Sequence, residues 1–278
     1  MDLTEAMKES KKDVIVILKV WKEMFSTSLS GEIQLAFTKG SAIKSWDSPI
    51  DYVPNISDID IHVLLKNKNQ LFPQTKEGFM QALAFNEEVE NLFLRKRPEY
   101  FHLPRCQVII INDFLNDPNF FTTPVEQKNI LYGEKIEFVQ STKEKIKNHD
   151  LTSLLELQEV LSALPNTCLD RLGLDWWTII RRLSWRVSPS VVRVLSILQE
   201  ERDHVDVWSL NRTNICSKLE KIGLVELSSN YKSYYYGGWE LFFSKMADIK
   251  LFRKVVHLAY LILYESLQIA QNHSKKMG

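Results

Sequence analysis

The chain has 278 residues, 45% of them hydrophobic, and 35 basic residues balance 35 acidic ones to a formal net charge of zero. This composition excludes a disordered chain and permits one large domain or two of ordinary size. It lacks the basic excess of a protein built to grip a nucleic-acid backbone, and no apolar run approaches the length that crosses a bilayer. Cys106, Cys168 and Cys216 are far apart and form no disulfide pattern, which points to a reducing cytoplasm. The charged opening Met1-Asp2-Leu3-Thr4-Glu5 does not read as a leader peptide.

In chain order, Val14, Ile17, Leu18, Trp21 and Phe25 recur at helical spacing and predict an opening helix. Residues 33–38 alternate, with Ile33, Leu35 and Phe37 inward, and predict a strand that ends at Lys39-Gly40-Ser41. Ser41 suits the N-cap of a short helix. Pro49 and Pro54 make residues 47–57 a loop. Ile59, Ile61, Val63 and Leu65 then predict the buried face of a second strand, with Asp58, Asp60 and His62 on its other face.

A helix is predicted over residues 76–95, on the stripe Phe85, Val89, Leu92 and Phe93. Residues 106–111 read as a buried strand and 135–139 as a last, edge strand. From Thr142 onward the periodicity is helical. One helix is expected to stop before Pro189, and Gly223 is the expected cap of another. The charged run 143–150 marks the boundary, either as a linker or as the start of a helix. The aromatic run 231–239 reads as a loop, packed on its own helices or stacking a base or sugar. The fold class expected is α+β: a small mixed β-sheet domain flanked by helices over residues 1–143, then an all-helical substrate-binding domain over 144–278.

The chemistry concentrates near the start. Residues two apart on a strand point to the same side, so Asp58 and Asp60 aim two carboxylates at one spot, with Cα atoms roughly 7 Å apart. Two hard oxygen donors at that spacing suit Mg2+. Upstream, Gly40-Ser41 offers a tight turn whose backbone N–H groups suit a phosphate. Read blandly, Asp58 and Asp60 are a solvated polar strand face. His62 shares their face, either beside the metal ligands or as a hydrogen-bonded structural histidine.

Lys39-Gly40-Ser41, a loop, and Ser57-Asp58-Ile59-Asp60-Ile61 together resemble the signature of the DNA polymerase β-type nucleotidyltransferase superfamily. Ile130-Leu131-Tyr132-Gly133 is similar to a segment that many small members carry after the third strand. The resemblance covers roughly residues 28–140. A helical domain behind it is usual in members that modify small molecules, such as the aminoglycoside nucleotidyltransferases. The resemblance implies transfer of an NMP group from an NTP, ATP first among them, to a hydroxyl of a small molecule such as an antibiotic. Asp58 and Asp60 would then be catalytic and hold Mg2+, two ions in an active enzyme. Gly40, Ser41 and Lys44 would bind the nucleotide phosphates. The other reading of Lys44, an exposed helix lysine, is the preferred one.

Two departures stand out. The loop between Ser41 and Asp58 is longer than the commonest spacing, and residues 46–54 would serve as a lid or touch substrate. The family also places a third carboxylate on the next core strand. Here that strand reads Arg105-Cys106-Gln107-Val108-Ile109-Ile110-Ile111, and the position falls near Gln107, which coordinates weakly and is no base. Asp113 lies past the strand end and would have to reach back. The alternative reading is therefore a nucleotide-binding or regulatory protein that has lost turnover. A glycosyltransferase with a metal-binding Asp-x-Asp is the third, and the short stretch before the motif argues against it. Nucleic acid and membrane are not expected partners, and the oligomeric state is open.

Overall fold

The computed structural model describes residues 2–67, 70–117, 120–122, 124–138, 141–170, 172–200 and 206–277. The fold is α+β: a small four-stranded mixed sheet flanked by helices, and a helical C-terminal region. The chain makes two compact units. One is formed by residues 1–45 and 57–140, the other by 46–56 and 141–278.

The first unit contains α1 (Leu3–Ser28), β1 (Ile33–Lys39), β2 (Ile59–Leu65), α2 (Lys76–Lys96), β3 (Cys106–Ile110) and β4 (Asn129–Gly133). The strand order is β3-β2-β1-β4. β1 runs antiparallel to both β2 and β4, while β2 and β3 are parallel. Asp2 starts α1 by accepting a hydrogen bond from the Glu5 backbone N–H at 2.8 Å, a cap that satisfies one of the first-turn donors. The apolar face of α1, from Ala6 through Val14, Ile17, Val20, Trp21 and Met24 to Phe25, is buried. Thr75 caps α2 in the same way, through the Gly78 N–H.

Two expectations for the sheet need correction. Ile33 pairs with Leu65 but Leu35 pairs with Leu64, so a bulge at Gln34 separates them. Leu64 and Leu65 point to opposite faces, and the extra residue therefore places Ile33 and Leu35 on opposite faces as well. Both faces of β1 are covered, which simple alternation did not convey. The second correction concerns the edge strand. It is β4, at Asn129–Gly133, and residues 135–138 carry no ladder. Val139, the last residue of the expected strand, lies outside the described residues. Ile136 and Phe138 pack without strand pairing onto a cluster built on Leu35, Phe37 and Ile111.

The second unit contains α3 (Lys143–Leu155), α4 (Leu157–Leu169), α5 (Trp176–Leu198), α6 (Arg212–Lys221), α7 (Val225–Phe243) and α8 (Ile249–Met277). Thr142 caps α3, so the charged run 143–150 is the start of a helix. α8 packs along α5 and α7. Its face Phe252, Val255, Ala259, Ile262, Leu263, Leu267 and Ala270 is buried. α5 does not stop before Pro189 but runs through it. Proline removes one backbone hydrogen bond, and continuous burial of Val187, Ser190, Val191 and Val194 holds the helix across that gap. The aromatic run is not a loop either. It lies inside α7, with Tyr231, Tyr234, Tyr235 and Trp239 fully buried, so those four rings meet protein, while Tyr236 is exposed. Gly223, at φ +83°, ends α6 in the left-handed conformation expected of a cap. No helix among the described residues is long and apolar enough to cross a membrane.

Residues 46–56 belong to this helical unit although both flanking segments belong to the other. Asp51 explains their attachment. Its carboxylate accepts from the Thr213 N–H at 2.9 Å and the Thr213 hydroxyl at 2.8 Å, while also closing its own turn through the N–H groups of Asp47 and Ser48. Arg212 donates to the Ile50 carbonyl, and the Trp239 indole donates to that of Pro49.

Candidate functional site

The Gly40 turn forms where β1 ends. Gly40 has φ +83°, a left-handed conformation that a side chain would strain. Its carbonyl accepts from the N–H groups of Ile43 and Lys44, closing a single tight turn over Gly40–Ala42 in place of a longer helix. A Cβ built on Gly40 would lie 3.9 Å from Asp60 Oδ2. The carboxylate therefore sits directly beside the turn.

Strand register sets what surrounds it. Asp60 pairs with Lys39 on β1 and with Gln107 on β3, so the three make one row across the sheet. One row further in, His62 pairs with Phe37 and Ile109. Cross-strand partners share a face. Lys39, Asp60 and Gln107 thus lie at the open end of the face whose floor is Leu35, Phe37, Leu64, Ile109 and Ile130. Asp58 immediately precedes β2, in step with Asp60. The Arg105 guanidinium lies 3.4 Å from Asp58 Oδ2.

The sequence-predicted residues therefore divide. Gly40, Asp58, Asp60 and Gln107 come together through the turn and the strand register, and Ser41 lies in the turn itself. Lys44 follows the turn and is half-buried. Asp113 is not brought there. The Asn112 side chain bonds to both backbone groups of Leu65, placing that stretch at the far end of β2. Asp113 lies in a turn three residues past the end of β3, whereas Gln107 is near its start.

Sequence reasoning missed three cations. Lys39 and Arg105 flank the two carboxylates, and Lys128 precedes β4. The signal for Lys39 was present, since strand alternation puts it on the face of Phe37. Arg105 and Lys128 depend on which strands become neighbours, and no local pattern announces them. Burial pushes the Lys39 ammonium below the usual lysine range, while the Asp60 carboxylate opposes that shift. Burial, then the charges of Lys39 and Lys128, hold the His62 imidazole neutral with a pKa of about 3. Burial pushes the nearby Cys106 thiol up to about 12, which rules it out as a nucleophile at neutral pH.

No family model matches this chain, and it matches no curated protein and no solved structure.

Among the described residues, no group of three or more His, Cys, Asp or Glu side chains is arranged to hold a metal ion. Mg2+ does not require such a cage. It is commonly held by one or two carboxylates, with phosphate oxygens and water completing its octahedron. Asp58 and Asp60 offer that partial set next to a turn suited to phosphate. The donor set fits Mg2+ delivered with a triphosphate better than Mg2+ alone, because Lys39 and Arg105 already offset much of the carboxylate charge.

Proposed function

We propose that this protein is a Mg2+-dependent nucleotidyltransferase that moves an NMP group from an NTP, ATP first among candidates, to a hydroxyl of a small molecule. The observation that carries the reading is the Asp60 carboxylate 3.9 Å from the Cβ position of Gly40. It joins an acidic pair and a phosphate-suited turn in one place. The resemblance to the DNA polymerase β-type superfamily supports the same assignment.

In this reading the Gly40-Ser41 turn holds the outer phosphates, and Lys39 and Lys44 add positive charge around them. Asp58 and Asp60 would hold Mg2+, which supplies neutralisation of the charge on the triphosphate. Arg105 pairs with Asp58, and Lys39 lies opposite Asp60 across the strands. The acceptor hydroxyl attacks the α-phosphorus. A new P–O bond forms, the bond to the β-phosphate oxygen breaks, pyrophosphate departs, and the hydroxyl proton passes to water. Gln107, next to Asp60, orients through its amide and takes no proton. The three separated cysteines support a cytoplasmic setting.

The test is to incubate the purified protein with each α-labelled NTP, Mg2+ and a panel of hydroxylated small molecules that includes aminoglycosides. Label is expected on an acceptor, and Asp58→Asn or Asp60→Asn should cut the rate by at least about 100-fold. Transfer that survives both substitutions overturns the reading. The pairing of Gln107 with Asp60 favours one second reading, a nucleotide-binding protein without turnover. It predicts Mg2+-dependent stabilisation by one nucleotide, abolished in Asp60→Asn, with no labelled product from any acceptor.

A further inference from the structure

Lys128 is buried, and its Nζ has no hydrogen-bond partner among the described residues. The ammonium sits 4.8 Å from the centre of the Phe37 ring and 4.5 Å from that of Phe138. Aromatic faces offset part of the charge, but they leave its N–H donors unspent. His62 repeats the pattern. It is 5% exposed, its ring stacks on Phe37 at 5.2 Å, and Nε2 lacks a partner. Lys39 completes the set, since it lies two residues along β1 from Phe37, on the strand face of the ring that both His62 and Lys128 contact. Two ammonium groups and an imidazole thus share a largely covered patch of one sheet face. The opposing charges are Asp60, acting on Lys39, and Glu126, acting on Lys128.

Buried donors without acceptors are costly, and like charges in a covered patch repel. An oxyanion entering the patch relieves both at once. We propose that Lys39, His62 and Lys128 form a metal-independent site for a compact oxyanion of the phosphate class, carrying at least two negative charges. His62 lies one strand row inward from Asp60, while Lys39 shares the row of Asp60, and the site uses neither carboxylate assigned to Mg2+. It shares Lys39 with the proposed triphosphate site but requires neither a divalent ion nor turnover.

The probe is inorganic pyrophosphate, titrated calorimetrically into the full chain in EDTA at fixed ionic strength. ATP in EDTA forms a second arm. Saturable one-to-one binding of pyrophosphate is expected, weakened at least tenfold in Lys128→Met and restored in large part in Lys128→Arg. Asp60→Asn should bind as tightly as the wild type or more tightly, because it removes a negative neighbour of Lys39. If ATP displaces pyrophosphate, the oxyanion is the tail of a larger ligand; if it does not, the site takes the free ion. Absence of pyrophosphate binding by the wild-type chain in EDTA overturns the proposal whatever the variants do. So does a folded Lys128→Met, judged by circular dichroism, that binds unchanged. A transferase that works while these tests fail would leave the proposed function standing and this site refuted.

Discussion

Asp13 has no exposed surface, yet it is held ionised. Burial alone would raise its carboxyl. The His102 side chain at 3.1 Å, the N–H groups of Phe101 and His102, and the Arg97 guanidinium at 2.9 Å outweigh that and hold it below the usual carboxylate range. One side chain on α1 thereby ties down the segment that follows α2. Removing it strands two backbone donors and leaves Arg97 with Glu9 as its acidic partner. Asp13→Ala is expected to cost about 2–4 kcal/mol, less than a fully buried pair because Arg97 stays partly exposed. Urea unfolding measures this, and a loss under about 1 kcal/mol would show that solvent replaces these partners freely. The same reasoning separates residues that were readable in advance from those that were not. Asp58 and Asp60 were readable, because strand periodicity alone puts both on one side. Lys128 was not, because its surroundings come from Phe37 and Phe138, residues far from it in sequence or on another element.

At the scale of elements, β4 depends on a single close approach. Gly133 has φ +79°, and a Cβ there would lie 2.1 Å from the Gln34 carbonyl oxygen, at the bulge of β1. Backbone and backbone cannot share that space. Gly133→Ala should destabilise the first unit by more than about 2 kcal/mol and raise hydrogen exchange at the β1–β4 amides. Gly31→Ala, where nothing lies within 4 Å, serves as the control and should leave stability nearly unchanged. If the two variants behave alike, the β1–β4 contact is looser than described. Element type was legible in most places because α1, α2 and α8 carry long periodic apolar faces. Boundaries failed where a local rule lost to packing. Pro189 should end a helix, but the buried residues on either side keep α5 continuous. Residues 135–138 have the alternation of a strand, but β1 already pairs with β2 on one edge and β4 on the other.

For the whole molecule, these buried groups predict how stability follows pH. His62 has a folded pKa of about 3 against 6.5 when unfolded. Below the unfolded value the unfolded chain binds a proton that the folded chain refuses, so stability falls as pH drops through that window. Asp13, held low, adds a loss in the same direction at more acidic pH. Asp150 and Glu265, raised first of all by burial, work the other way, since acid relieves the cost of their charge. The informative quantity is therefore the difference between wild type and His62→Phe. Wild type should lose stability relative to the variant between about pH 6.5 and pH 4, before most carboxylates titrate. A difference that stays constant across that range would show that His62 is protonated as easily folded as unfolded.

What the order of amino acids settled unaided was local: an α+β chain, helical after Thr142, with two carboxylates in step on a strand behind a glycine turn. Periods of two and 3.6 residues act over a few neighbours and need no partner to be read. Tertiary structure decided the rest. It chose Gln107 and Lys39 as the neighbours of Asp60, put Asp113 at the other end of the sheet, and drew residues 46–56 into the helical unit through Asp51. Strand register and hydrogen bonds join residues up to 190 positions apart, and such pairings take their energy from the folded geometry, not from any run of adjacent side chains.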